Sequence, residues 1–150
     1  MGEEITYFTR AENDYQYYNQ DIINGRVGDT LCVNAQSICE RYLKHIINSF
    51  CCDIPKKVMR THSLRVLRNF IQGNLPDFNV DWKTVMKADG FYFTARYPGD
   101  DAIEVTKDDV EESWMAVNEI RTAVIWYCDN HIVDNVKRET DDIIHEIHVF

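Results

Sequence analysis

Five positively charged or titratable residues have the types and spacing to hold an anion. Arg41 and Lys44 fall on the less apolar side of a long helical segment, with His45 beside them. His62 and Arg65 open the next helical segment, and Arg96 heads the turn Arg96-Tyr97-Pro98-Gly99. Guanidinium and ammonium groups hold phosphate through charge-assisted hydrogen bonds, and a helix start adds unpaired N–H groups and a partial positive charge. The spacing describes a phosphate gripped by Arg41 and Lys44, with His62 assisting from a helix N-terminus. Arg65 and Arg96 supply further anion contacts. A structural alternative stands beside this reading. Arg41 and Lys44 can pair with acids of the fold, His62 can pack or cap its helix, and Arg96 can bridge carboxylates or helix C-terminal carbonyls.

The charge distribution points to the same stretch. The 150-residue chain has 16 basic and 25 acidic residues, a net charge of −9. That total argues against a general nucleic-acid binder. The charge is unevenly spread, however. Residues 1–40 carry −5, residues 41–103 carry +4 and residues 104–150 carry −8. Between 41 and 68 seven basic residues face one acid, Asp53. A basic segment in an acidic chain is a candidate anion-binding face, or else a partner for the acidic helices of its own fold.

Other chemistries find little support. The five cysteines are an odd number, and the opening MGEEITYFTR is acidic and polar rather than basic then apolar. Together these place the chain in a reducing cytosol with free thiols. Cys51-Cys52 with His62 lacks zinc-like spacing, so neither a metal nor a cofactor is expected. Met1-Gly2 with Thr6 formally fits a myristoylation pattern, but Glu3 and Glu4 mark the match as accidental. No apolar run approaches 18 residues, which excludes a membrane span. Tyr15, Tyr17 and Tyr18 could stack bases, but their acidic surroundings favour core packing or an interface.

These residues need elements to position them. Ala11, Tyr15, Tyr18 and Ile22 form one apolar stripe, ended by Gly25 and Gly28-Asp29. From Thr30 to about Cys52 the stripe Leu31, Ala35, Ile38, Tyr42, Ile46, Phe50 marks the strongest helix. Cys32 and Cys39 fit it as small core residues, and the Glu40–Lys44 pair suits an exposed face. Ile54-Pro55 stops it. Thr61 is placed to cap a helix from His62 to Gln72, with Leu64, Leu67 and Ile71 inward and Gly73 as breaker. Residues 78–95 read as a helix followed by a loop. Thr106 to Asp109 is a capping-box variant, Val105 and Val110 form a hydrophobic staple, and the stripe runs Val110, Trp114, Val117, Ile120, Val124, Tyr127. A helix from 107 to 148 would be about 63 Å long, so a break near 129–135 and a separate C-terminal helix are expected. The fold class is therefore all-α, an antiparallel up-and-down bundle of four to five helices over 1–128. Residues 129–150 form an amphipathic extension on the same domain or on a dimer mate.

Three motifs in this order resemble the HEPN domain family, the higher eukaryotes and prokaryotes nucleotide-binding domains. Ala35-Gln36-Ser37-Ile38-Cys39-Glu40-Arg41-Tyr42-Leu43-Lys44 resembles its second helix. Thr61-His62-Ser63-Leu64-Arg65-Val66-Leu67 resembles its His-x-Leu-x-x-Leu third helix. Ala95-Arg96-Tyr97-Pro98 before an acidic-capped helix resembles its Arg-Tyr-Pro loop. The resemblance covers roughly residues 9–128. It implies a helical bundle that homodimerises, an association with nucleotides or RNA, and a minimal nucleotidyltransferase as partner, as in toxin–antitoxin pairs. Some members are metal-independent ribonucleases with four to six residues between an arginine and a histidine. No histidine follows Arg96 at that distance; positions 101–103 are Asp101, Ala102 and Ile103. The one formal match, Arg138 to His145, lies in the C-terminal extension, and about one such match is expected by chance. The chain therefore reads as a cytoplasmic accessory or binding module with no assigned catalytic residue. Ribonuclease action through Arg138 and His145, or a pure interaction scaffold, are the alternatives.

Overall fold

The computed structural model describes the backbone of residues 6–90 and 104–149 and the side chains of 6–90 and 104–131. Arg96 and the Arg-Tyr-Pro turn lie outside the described residues. Within them every regular element is a helix.

Helix α1 spans Tyr7–Ile23 and starts a turn before its apolar stripe. Thr6 causes this: its Oγ1 accepts from Thr9 N at 3.1 Å while Thr9 Oγ1 accepts from Thr6 N at 2.8 Å, a reciprocal cap. Gly25 ends the helix at φ +72°, where its N–H reaches Ile22 O and Arg26 N–H reaches Asp21 O.

Helix α2, Asp29–Phe50, is the centre of the molecule. The expected stripe is buried from Leu31 to Ile46, but so is a second one of Cys32, Cys39, Leu43 and Ile47. The helix is enclosed because α1, α4 and α6 pack on different sides of it. Glu40 and Lys44 do pair, at 2.7 Å, but they are 7% and 5% exposed rather than on an open face. Spacing sets the pairing; the neighbouring helices set the burial.

After Asp53, at φ +53°, and Pro55 comes a short helix the sequence pattern does not announce, α3, Lys56–Arg60. Helix α4, Leu64–Asn74, begins two residues later than expected, because Ser63 and not Thr61 caps it. Thr61 Oγ1 instead accepts from Ser63 N–H. Gly73 falls inside the last turn, and the helix stops before Pro76. Leu64, Leu67 and Ile71 are fully buried, as their spacing requires. Within the described part of 78–95 the expected helix is Trp82–Met86, α5, started by Asp81, and residues 91–95 lie outside the described residues.

Helix α6 runs unbroken from Lys107 to Val149. The expected break near 129–135 is absent. Nothing between 107 and 149 is Gly or Pro. Asn130 and His131 bond the carbonyls of Trp126 and Tyr127 four residues back instead of opening a turn. At 43 residues the helix is about 65 Å long. Thr106 and Asp109 cap each other at 2.9 and 3.2 Å, and Val105 and Val110 are buried as the staple.

Four long helices thus make the bundle, with α3 and α5 as five-residue connectors. Glu12 meets both Tyr42 and Arg121, and Asn19 meets Trp114, so α1 runs antiparallel to α2 and α6. Cys32 beside Ser113 and Phe50 beside Tyr127 show that α2 and α6 run parallel. No described helix is long and apolar enough to cross a membrane.

Candidate functional site

The predicted anion residues divide into two groups. Lys44 and His62 converge on Glu40. Lys44 Nζ donates to Glu40 Oε1 at 2.7 Å, and His62 Nδ1 stands 3.1 and 3.3 Å from the two Glu40 oxygens. An ionised carboxylate only accepts, so Nδ1 carries the proton in this contact. The backbone carbonyl of His62 accepts from Gln36 Nε2 at 2.7 Å. One turn-spaced row of α2, Gln36–Glu40–Lys44, therefore moors the segment between α3 and α4. Arg41 points to α1 and forms an ion pair with Asp14. Burial, and secondarily the charge of Arg10, hold Arg41 below the usual guanidinium range.

Three of the backbone donors at the start of α4 are already taken. Leu64 N–H donates to Asp89 Oδ1 at 2.8 Å, Val66 N–H to Ser63 Oγ at 3.3 Å, and Leu67 N–H to Ser63 O at 3.3 Å. The Asp89 carboxylate occupies the place of an anion. Arg41 and Lys44 likewise have their charges answered within the fold.

Arg65 is different, and it has company. It is exposed, and among the described residues no carboxylate pairs with it or with Lys56, Lys57, Arg60 and Arg68. Arg68 makes only a contact to neighbouring Asn69. From 54 to 76 the chain holds no acid at all. Lys56 and Arg60 are four apart on α3, and Arg65 and Arg68 three apart on α4, so each pair shares a helix face. Sequence reasoning counted these bases but did not single out Lys56, Lys57, Arg60 and Arg68. The acid-free run from 54 to 76 is the signal that would have found them.

Two further polar clusters serve the fold. Glu12 receives Arg121 in a fork at 2.9 and 3.1 Å and the Tyr42 hydroxyl at 2.6 Å, joining α1, α2 and α6. Burial alone would raise the Glu12 carboxyl, but Arg121 and Tyr42 outweigh it and hold it below its ordinary value. At the other end, Asp77 accepts from Tyr127 Oη at 3.1 Å and faces His131 Nε2 at 2.8 Å, with Phe50 edge-on to both rings. Both clusters are structural ties between elements distant in sequence.

The HEPN domain family model matches residues 6–129. No curated protein and no solved structure matches the chain. The matched span contains the Gln36–Glu40–Lys44 row, His62 and the α3–α4 cations. It covers well over half of the 150 residues, and the chain therefore belongs to the HEPN domain family.

Proposed function

We propose that this chain is a nucleotide- or RNA-associated accessory module that binds its anionic ligand without cleaving it. In this reading it works in the cytoplasm as a homodimer, or beside a separately encoded minimal nucleotidyltransferase in a toxin–antitoxin-like pair. The observation that supports it is the set of unneutralised cations on α3 and α4 within an acidic protein, with Lys56, Lys57, Arg60 and Arg65 exposed and Arg68 half-buried. Arg65, flanked by Lys56, Lys57, Arg60 and Arg68, contacts the phosphates. His62 and Arg96 complete the contact, and Lys44 supports it from within by holding Glu40 against His62, whereas Arg41 is turned away to Asp14 on α1.

A labelled single-stranded RNA and a nucleoside triphosphate, titrated at low and high salt, test this. Affinity for the RNA falls with salt, and the log–log slope shrinks by about 0.7 for each phosphate-contacting cation removed. Absence of binding at low salt would remove the reading.

The continuous α6 favours a second role for residues 129–150, as a docking element on a dimer mate or partner. The last described buried side chain of α6 is Tyr127, and the helix continues 22 residues further, to Val149. Truncation after His131 should lower the oligomeric state; an unchanged dimer counts against that role. On one unbroken helix Arg138 and His145 sit two turns apart, about 10.5 Å along the axis. Incubating RNA with wild type and His145→Ala separates the ribonuclease alternative: cleavage abolished by the substitution would replace the binding-only reading.

A further inference from the structure

We infer that the groove between α1 and α2 is a binding site for a planar, amino-bearing heterocycle without a phosphate, separate from the cationic α3–α4 face. Two antiparallel helix faces build it. On α1, Asp14, Tyr17, Tyr18 and Asp21 follow the i, i+3, i+4, i+7 pattern; on α2, Asn34, Ser37, Ile38 and Arg41 do the same. Each face spans eight residues, a rise of about 10.5 Å, which suits a one- or two-ring compound. The cavity they enclose is about 360 Å³, within the range of small-ligand sites.

Its walls specify the ligand. Tyr18 and Ile38 are buried and form the floor, Tyr18 with a buried hydroxyl that has no hydrogen-bond partner among the described residues. The Arg41–Asp14 ion pair closes one end. Tyr17, 72% exposed, stands on the rim with a ring face available for stacking. Among the described residues no protein hydrogen bond engages the Asn34 amide, the Ser37 hydroxyl or the Tyr17 hydroxyl. Asp21 has only a loose contact, 3.6 Å, from the exposed Arg26. The lining carries two carboxylates and one guanidinium, so it repels phosphate and favours N–H donors. A flat ring with an exocyclic amine fits. Its face lies on Tyr17, the amine donates to Asp21 and the Asn34 carbonyl, and a ring nitrogen accepts from Ser37.

Nitrogen–proton correlation spectra of the full chain, titrated with adenosine, AMP and benzamidine to millimolar concentration, test the site. Adenosine should produce saturable shifts at the amides around Tyr17, Asp21, Asn34 and Ser37, and AMP should bind there more weakly. Tyr17→Ala and Asn34→Leu, both away from the core, should each weaken adenosine by about tenfold, or 1.4 kcal/mol, without moving the melting temperature. The triple charge reversal Lys56→Glu, Lys57→Glu, Arg60→Glu should leave adenosine binding intact, which keeps this site distinct from the RNA reading. Three results would each overturn the inference: no saturable shift with adenosine or benzamidine, AMP binding in the groove as tightly as adenosine, or binding lost in the charge reversal.

Discussion

Arg121 and Arg65 carry the same charge and meet opposite fates. Arg121 lies where three helices cross, and its guanidinium is spent on Glu12 and on the face of Tyr15 at 4.3 Å. Arg65 lies on a helix whose neighbours in sequence offer no carboxylate, and it is left to solvent. The α1–α2–α6 side of the molecule uses charge as mortar. The α3–α4 side displays it. Net charge is therefore a poor guide to where an anion can bind: this chain is acidic overall, yet its cations are neutralised selectively.

The comparison can be broken most forcefully at its boundary, the buried Glu40–Lys44 pair. Lys44→Met should cost about 3–5 kcal/mol, because Glu40 is left buried with one partner fewer. Thermal melts should show a fall of about 10 °C for a chain of this size. The double variant Glu40→Met, Lys44→Met should be more stable than Lys44→Met, since no charge is then stranded.

On the mortar side, Arg121→Met should cost about 2 kcal/mol at neutral pH by removing a charged hydrogen-bonded fork. The loss has a defined pH dependence. Glu12 is held below its ordinary 4.5 when folded, so its stabilisation is full above that value and disappears as pH falls through the lower folded one. Acid denaturation curves of wild type and Arg121→Met should accordingly converge once the pH falls below the lowered range of the folded Glu12 carboxyl.

On the display side the expectation reverses. The Lys56→Glu, Lys57→Glu, Arg60→Glu variant should lose at least about tenfold in RNA affinity, some 1.4 kcal/mol. Its stability should stay within about 0.5 kcal/mol of wild type, because no packed contact is removed. A large loss of stability would mean that these cations are tied into the fold after all.

The smallest effect belongs to Asp77→Asn. Asp77 is mostly exposed, so the substitution should cost only a few tenths of a kcal/mol. Its readout is Tyr127, which burial first and the Asp77 carboxylate second push up to about 12. Ultraviolet titration of the phenol should show that value move toward 10 in the variant.

Much of the architecture was legible because local rules dominate it. Helical periodicity located all four long helices and named buried residues such as Ile38, Ile46, Leu64, Leu67 and Val117. The Thr106–Asp109 box and its staple were readable because cap chemistry depends on neighbours three residues apart. The starts of α1 and α4 were less so, since Thr6 with Thr9 and Ser63 with Asp89 use partners outside the usual signature. Helix α3 was hidden because five residues are too few to show a period. The expected break in α6 rested on how compact a domain should be, whereas the local chemistry of Asp129, Asn130 and His131 allows the helix to continue.

By itself the sequence determined the helical class, the main buried stripes, the concentration of base between 41 and 68 and the family resemblance, since each is a matter of spacing along one chain. Only the tertiary structure decided which charges remain available. Asp14 reaches Arg41, Glu40 reaches His62 and Asp89 reaches the start of α4 across 22 to 27 positions. Burial of Glu40 and Lys44 likewise required helices that enclose α2 from several sides. Coulomb attraction and desolvation act through space, so the fate of a charge depends on neighbours that spacing along the chain does not name.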